Sequence, residues 1–199
     1  MNKIKGLHFQ PWVGENYGKC QYGKILLLGE SHYLNEDEDS VNLTKMVVKN
    51  AIDEHDGMNT SFFRTTELIF NRKDYQTFWN DVAYANLIQK AMEKTKSQPE
   101  PDDIATISPS FKLLLDNLKP EKVLILSKRM WEYWLTSDNS YKVKDIKRNG
   151  KNIEIWKYSY EGGNCLATGI WHPSRIWGNA YKDWASLVNT FLLTELDKE

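Results

Sequence analysis

The chain has 199 residues, 41% of them apolar, with 26 basic side chains set against 27 acidic ones. That is enough apolar mass for one sizeable core, and a net charge of −1 gives no overall field to draw the protein onto nucleic acid or an anionic membrane. Two cysteines, Cys20 and Cys165, argue against a disulfide scaffold and cannot build a four-cysteine iron–sulfur or zinc site. No apolar run reaches the ~20 residues of a membrane span, and the opening MNKIKGLHFQPW lacks the apolar stretch of a signal peptide. These features predict one domain over residues 1–199, in a reducing, cytoplasmic compartment, with no metal, no cofactor and no membrane partner.

Residues 1–23, Gly-rich and aromatic, read as an irregular arm laid over the first strand. KILLLGESHY at 24–33 organises the rest. Ile25 to Leu28 fit a strand buried on both faces, and Gly29 lets the backbone turn at its carboxyl end, where open parallel sheets place their ligands. Glu30, Ser31, His32 and Tyr33 follow as an acid, a hydroxyl, an imidazole and a phenol, which is poor core design and good site design. The acidic loop 35–40 caps a helix expected from Val41 to Glu54, and Thr60 or Ser61 opens another through Phe62, Phe63, Leu68 and Ile69. VAYAN at 82–86 alternates as a second strand, carrying Asn86 near its end.

Ser108 and Pro109 predict the N-cap and first turn of a helix containing Phe111, Leu114, Leu115 and Leu118, closed by Pro120. KVLILS at 122–127 is a third buried strand, and KRMWEYWL a helix at its carboxyl end. Asn149-Gly150 is the pair that type I′ turns prefer, so 141–160 reads as a β-hairpin inserted in the α/β pattern. NCLATGI at 164–170 is a fourth strand running into Trp171-His172-Pro173-Ser174-Arg175-Ile176-Trp177, and an amphipathic helix with Trp184, Leu187, Val188, Phe191 and Leu192 closes the chain. The order predicts a three-layer α/β/α sandwich around a four-stranded, mainly parallel sheet, with the hairpin beside it.

Polar residues stand past strands one, two and four, so one rim collects Glu30 to Tyr33, Asn86 and His172 to Arg175. In this order of motifs the chain resembles the uracil-DNA glycosylase superfamily, whose first motif follows strand one and whose HPS loop follows the last strand. The likeness spans roughly Gly14 to Trp177, with about ten specific residues. It implies a base flipped into a pocket, stacked on an aromatic ring and read on its Watson–Crick edge. Asn86 then matches the base-reading asparagine, and His172 the donor to the base O2, where negative charge grows as the glycosidic bond breaks. Phe62 and Phe63 are the candidates for the stacking ring, and Tyr33 crowds the C5 position. Ser174 and the backbone beside Pro173 would hold phosphates, Arg175 could reach another, and Ile176 falls where many members place a wedge leucine.

The first motif looks like a splice of two common forms, GE as in the GEAPG type and a tyrosine as in the GQDPYH type. Ser31 stands where the latter has its water-activating aspartate, so hydrolysis would lean on Glu30, on a Ser31-bound water, or on leaving-group stabilisation alone. The implied partner is DNA, held by local contacts through Arg175 and the basic hairpin cluster Lys142, Lys144, Lys147, Arg148 and Lys151; a free base or nucleotide is the alternative ligand. Two other classes fit parts of the pattern. One is a non-catalytic base- or nucleotide-binding module of the same fold. The other is an SGNH-like ester hydrolase with Ser31 as nucleophile, Asn86 as oxyanion donor and His172 as base, although Gly169 stands where that family places its orienting aspartate.

Overall fold

The computed structural model describes residues 3–33, 40–53, 61–71, 75–93, 98–135 and 138–195; the acidic run 35–39 lies outside them. In chain order the strands are β1 (Trp12–Val13), β2 (Ile25–Gly29), β3 (Val82–Asn86), β4 (Lys122–Ile125), β5 (Ser140–Arg148), β6 (Lys151–Tyr160) and β7 (Gly163–Gly169). The helices are α1 (Leu43–Asp53), α2 (Ser61–Ile69), α3 (Tyr75–Asp81), α4 (Pro101–Ala105), α5 (Ile107–Leu118) and α6 (Tyr181–Leu192).

The fold is α/β, but the sheet has seven strands rather than four, in the order β1-β3-β2-β4-β7-β6-β5. The four expected strands form its parallel centre, with Leu27 opposite both Tyr84 and Leu124, and Leu124 opposite Thr168. β1 adds an antiparallel edge to β3. The hairpin extends the sheet instead of lying beside it, because the tight turn at Gly162, with φ +81°, folds β7 back onto β6. Its own turn carries positive φ at both Asn149 and Gly150, as a type I′ turn requires.

Alternation along the central strands divides the core in two. Ile25, Leu27, Val82, Tyr84 and Leu124 pack on one face against Val48, Ile69, Trp79, Leu187 and Phe191 from α1, α2, α3 and α6. Leu26, Leu28, Ala83, Ala85 and Val123 pack on the other against Ile107, Phe111, Leu114 and Leu118 of α5. Helices thus cover both faces, which is why these strands read as continuous aliphatic runs.

Two helical expectations change. α5 begins at Ile107, directly after Thr106, so Ser108 and Pro109 occupy its first turn rather than its cap, a place proline tolerates because its missing N–H has no helical acceptor there. KRMWEYWL forms only a π-type turn over Met130–Trp134. α1 begins at Leu43 rather than Val41, so Ser40 lies in the turn before it, where its Oγ accepts from Asn42 N–H at 3.2 Å.

The strand order places the topological switch between β2 and β4: the chain leaves β2 toward β3 on one side and returns to β4 on the other. In open α/β sheets the crevice at the carboxyl ends beside such a switch is the expected ligand site.

Candidate active site

All four parallel strands end at one rim, which encloses a cleft of ≈ 770 Å³. Gly29 to Tyr33 reach it from β2, Tyr84 and Asn86 from β3, Ser127 to Arg129 from β4, and Trp171 to Arg175 from beyond β7; Phe62 and Phe63 of α2 close one side. Pairing carries on past the strand ends, with Ile88 N–H donating to Glu30 O and Leu126 N–H to Leu28 O, so the rim is fixed by backbone rather than left to loops.

Asn86 and Tyr84 project from the same face of β3, and the Tyr84 hydroxyl donates to Asn86 Oδ1 at 2.9 Å. Gly29 lies directly opposite Asn86 in register. A Cβ at Gly29 would stand 2.1 Å from Asn86 Oδ1 and 2.5 Å from the Tyr84 hydroxyl, so glycine is needed here to let the amide lie over the end of β2. Burial raises the Tyr84 phenol well above its ordinary pKa, which keeps it a donor.

Glu30 has a fate the sequence did not reveal. Its buried carboxylate accepts from Ser127 Oγ at 2.9 Å and from Arg129 Nε at 3.0 Å, and Arg129 Nη2 closes a two-point ion pair on the other oxygen. Arg129 is itself fixed by Gln98, 2.6 Å from Nη1, and by stacking 4.7 Å over the Trp134 ring. The two-point pair with Arg129 and the Ser127 hydrogen bond make Glu30 a clamp across the β2–β4 crevice. Ser127 and Arg129 were missed because Ser127 was read as the end of the strand KVLILS, which stops at Ile125, and Lys128-Arg129 as the start of a helix. The signal was the one used at β2, a buried aliphatic run ending in polar residues.

His32 also differs. Its ring is buried, hydrogen-bonded at Nε2 to Thr44 Oγ1 (2.8 Å) and edge-on to Phe9, and burial alone pulls its pKa down to about 4. It ties the motif to α1. Ser31 lies half-buried on the cleft wall, and Tyr33 stands exposed at its outer margin.

Across the cleft, His172 is half-buried with its ring 5.2 Å from that of Phe62. Phe62 packs on Phe63 and Tyr84, giving a continuous aromatic wall from His172 down to the Asn86 amide. His172 Nδ1 accepts the Ser174 backbone N–H at 3.3 Å and sits 2.7 Å from Ser174 Oγ. A backbone N–H can only donate, so with this contact made the neutral ring takes the tautomer protonated on Nε2, while the shorter Ser174 Oγ contact is compatible with either tautomer. Burial depresses the His172 pKa; Glu30 opposes this, while Arg175 and Arg129 add to it. The Nδ1 partner is a serine rather than a carboxylate, so nothing here orients the ring as a hydrolase triad would require.

The expected DNA contacts divide. Ser174 and Arg175 are exposed at the rim, but Pro173 is buried, so only its backbone neighbours could meet phosphate. Ile176 is 6% exposed and packs in the core with Trp184 and Leu187, so it cannot act as a wedge. The side chain that protrudes is the next one, Trp177, 78% exposed and tethered by its Nε1 to Ser174 O at 3.1 Å. In the hairpin, Lys142 is paired with Asp145 and Glu154, and Lys151 with Asp183, leaving Lys144, Lys147 and Arg148 as the exposed remainder of that basic cluster.

Among the described residues no cluster of His, Cys, Asp and Glu could hold a metal ion, and no helix is long and apolar enough to cross a membrane. Compared with known proteins, the chain matches no family model and no curated protein.

Proposed function

We propose that the chain is a uracil-DNA glycosylase-like protein that takes a flipped pyrimidine into the rim cleft and releases it by stabilising the departing base. The observation that carries this reading is the placement of His172: its Nδ1 takes the Ser174 backbone N–H, which favours a proton on Nε2, and its ring lines the same cleft as an aromatic wall that ends at an amide. A uracil stacked against Phe62 would offer its O2 to that donor and its N3–H and O4 edge to Asn86, whose amide has both a donor and an acceptor. As the C1′–N1 bond lengthens, the electron pair goes to the base, and a neutral donor aimed at O2 stabilises the growing charge without prior proton transfer. Water then adds its hydroxyl to C1′, and its proton ends on the base.

Glu30 serves this reaction by holding Arg129 and the crevice in place, not by activating the water. Ser31, a hydroxyl of the cleft wall beside Glu30, orients that water. Trp177 takes the wedge position in place of Ile176.

One observation favours a second reading. With Glu30 paired to Arg129, the cleft has no unpaired carboxylate among its described residues, which suits a module that binds a base or nucleotide and does no chemistry. Assaying abasic-site formation on oligonucleotides containing uracil, hypoxanthine, xanthine or mismatched uracil separates the two. Release of a base that falls about 10²-fold in His172→Ala supports the glycosylase; binding with no release from any substrate supports the module.

A further inference from the structure

A second, smaller pocket of ≈ 270 Å³ adjoins the rim cleft and shares two of its walls, Lys128 and Trp171. Its other sides come from Trp131, Asn152, Lys151 and Glu154, so it lies between the π-type turn after β4 and the tip of the hairpin. The pocket is built into the sheet. A Cβ at Gly169 would meet Trp131 Cγ at 2.3 Å, so this glycine is what lets the Trp131 side chain pack against the end of β7. Trp171, 48% exposed, rests on Trp184 with ring centroids 5.9 Å apart and stands as the partition between the two cavities.

The walls carry charge of both signs, and Lys128 and Lys151 are each engaged, with Glu132 at 3.3 Å and Asp183 at 2.6 Å. That balance does not suit a bare phosphate. Indole side chains beside paired donors and acceptors suit a second heterocycle, and Arg175, in the lining of the main cleft, is a cation available to a phosphate of the same strand.

We propose that the second pocket receives the base next to the one held in the rim cleft, with Trp171 between them, so that the protein selects single-stranded nucleic acid. Two adjacent base pockets cannot be filled from an intact duplex, because extruding one nucleotide leaves its neighbour paired and stacked. This inference rests on the base-binding reading of the rim cleft and adds the strandedness and minimum length of its ligand.

The test compares deoxyuridine monophosphate, the dinucleotide dUdT, and single- and double-stranded oligonucleotides containing one deoxyuridine, by quenching of tryptophan fluorescence and by calorimetry. The dinucleotide and the single strand should bind about tenfold tighter than the mononucleotide, the scale of one base stacked on an aromatic ring. Asn152→Trp, which fills the second pocket without touching the rim cleft, should abolish that gain and leave mononucleotide affinity unchanged. No gain from the second nucleotide, a gain that survives Asn152→Trp, or duplex binding as tight as single-strand binding would overturn the proposal. Failure of every probe, the mononucleotide included, would overturn the base-binding reading and this inference with it.

Discussion

The two sides of the rim put their polar groups to opposite uses. After β2 and β4, the carboxylate of Glu30 and the guanidinium of Arg129 spend their hydrogen-bonding capacity on each other, on Ser127 and on Gln98. After β7, His172 uses Nδ1 on its own loop while its ring lines the cleft. The first arrangement ties two strand ends together; the second commits one ring nitrogen to the loop at the edge of the cleft. A polar residue at the end of a buried strand is thus a functional candidate only once its partners are counted, and by that count His172 and Asn86 outrank Glu30.

Breaking the closed side should cost stability most. Arg129→Ala strands a buried carboxylate and should lower unfolding free energy by about 3 kcal/mol, the low end for a buried pair because Arg129 is one-third exposed. Glu30→Gln combined with Arg129→Met should recover most of it, measured by urea denaturation. If Arg129→Ala proved neutral, the clamp would be ornamental.

His32 sharpens the comparison in acid. Its pKa is 6.5 in the unfolded chain and about 4 in the fold, so stability is full above pH 6.5 and declines as pH falls toward 4, by on the order of 3 kcal/mol. His32→Gln, which keeps a hydrogen-bonding group for Thr44, should flatten that decline in denaturation curves taken between pH 7 and pH 4. His172 adds a smaller slope of the same sign, since its pKa is also depressed.

On the open side the expected effects concern ligand rather than fold. Phe62→Ala should weaken base binding about tenfold, the usual scale for one stacking ring, with a modest change in melting temperature because Phe62 is only partly buried. Arg175→Ala should lower the salt slope of oligonucleotide binding by about one, whereas Lys142→Ala, already committed to Asp145 and Glu154, should leave it unchanged.

The central strands were legible because burial on both faces writes continuous aliphatic runs, and KILLLG, VAYAN and KVLI lie in parallel register as read. Glu30, Ser31, Tyr33, Asn86, Phe62, Phe63 and His172 do share one cleft. What stayed hidden has physical reasons. β1 is two residues long and has no period to detect. Arg129 could not be matched to Glu30 because an ion pair spanning 99 positions leaves no local trace. Between Ile176 and Trp177, composition favours neither as the outward side chain; the short 3₁₀ turn at Pro173–Arg175 decides it, turning the isoleucine into the core and the indole out.

The claim that most of this rests on is that His172 offers Nε2–H to a base. Nitrogen-15 spectra of the histidine ring, recorded at pH 7.5 with and without uracil, test it directly. An unprotonated Nδ1 and a protonated Nε2 in the free protein, with the Nε2 proton moving downfield on addition of uracil, is the predicted result. A proton on Nδ1, or a ring that does not respond to a bound base, would contradict it.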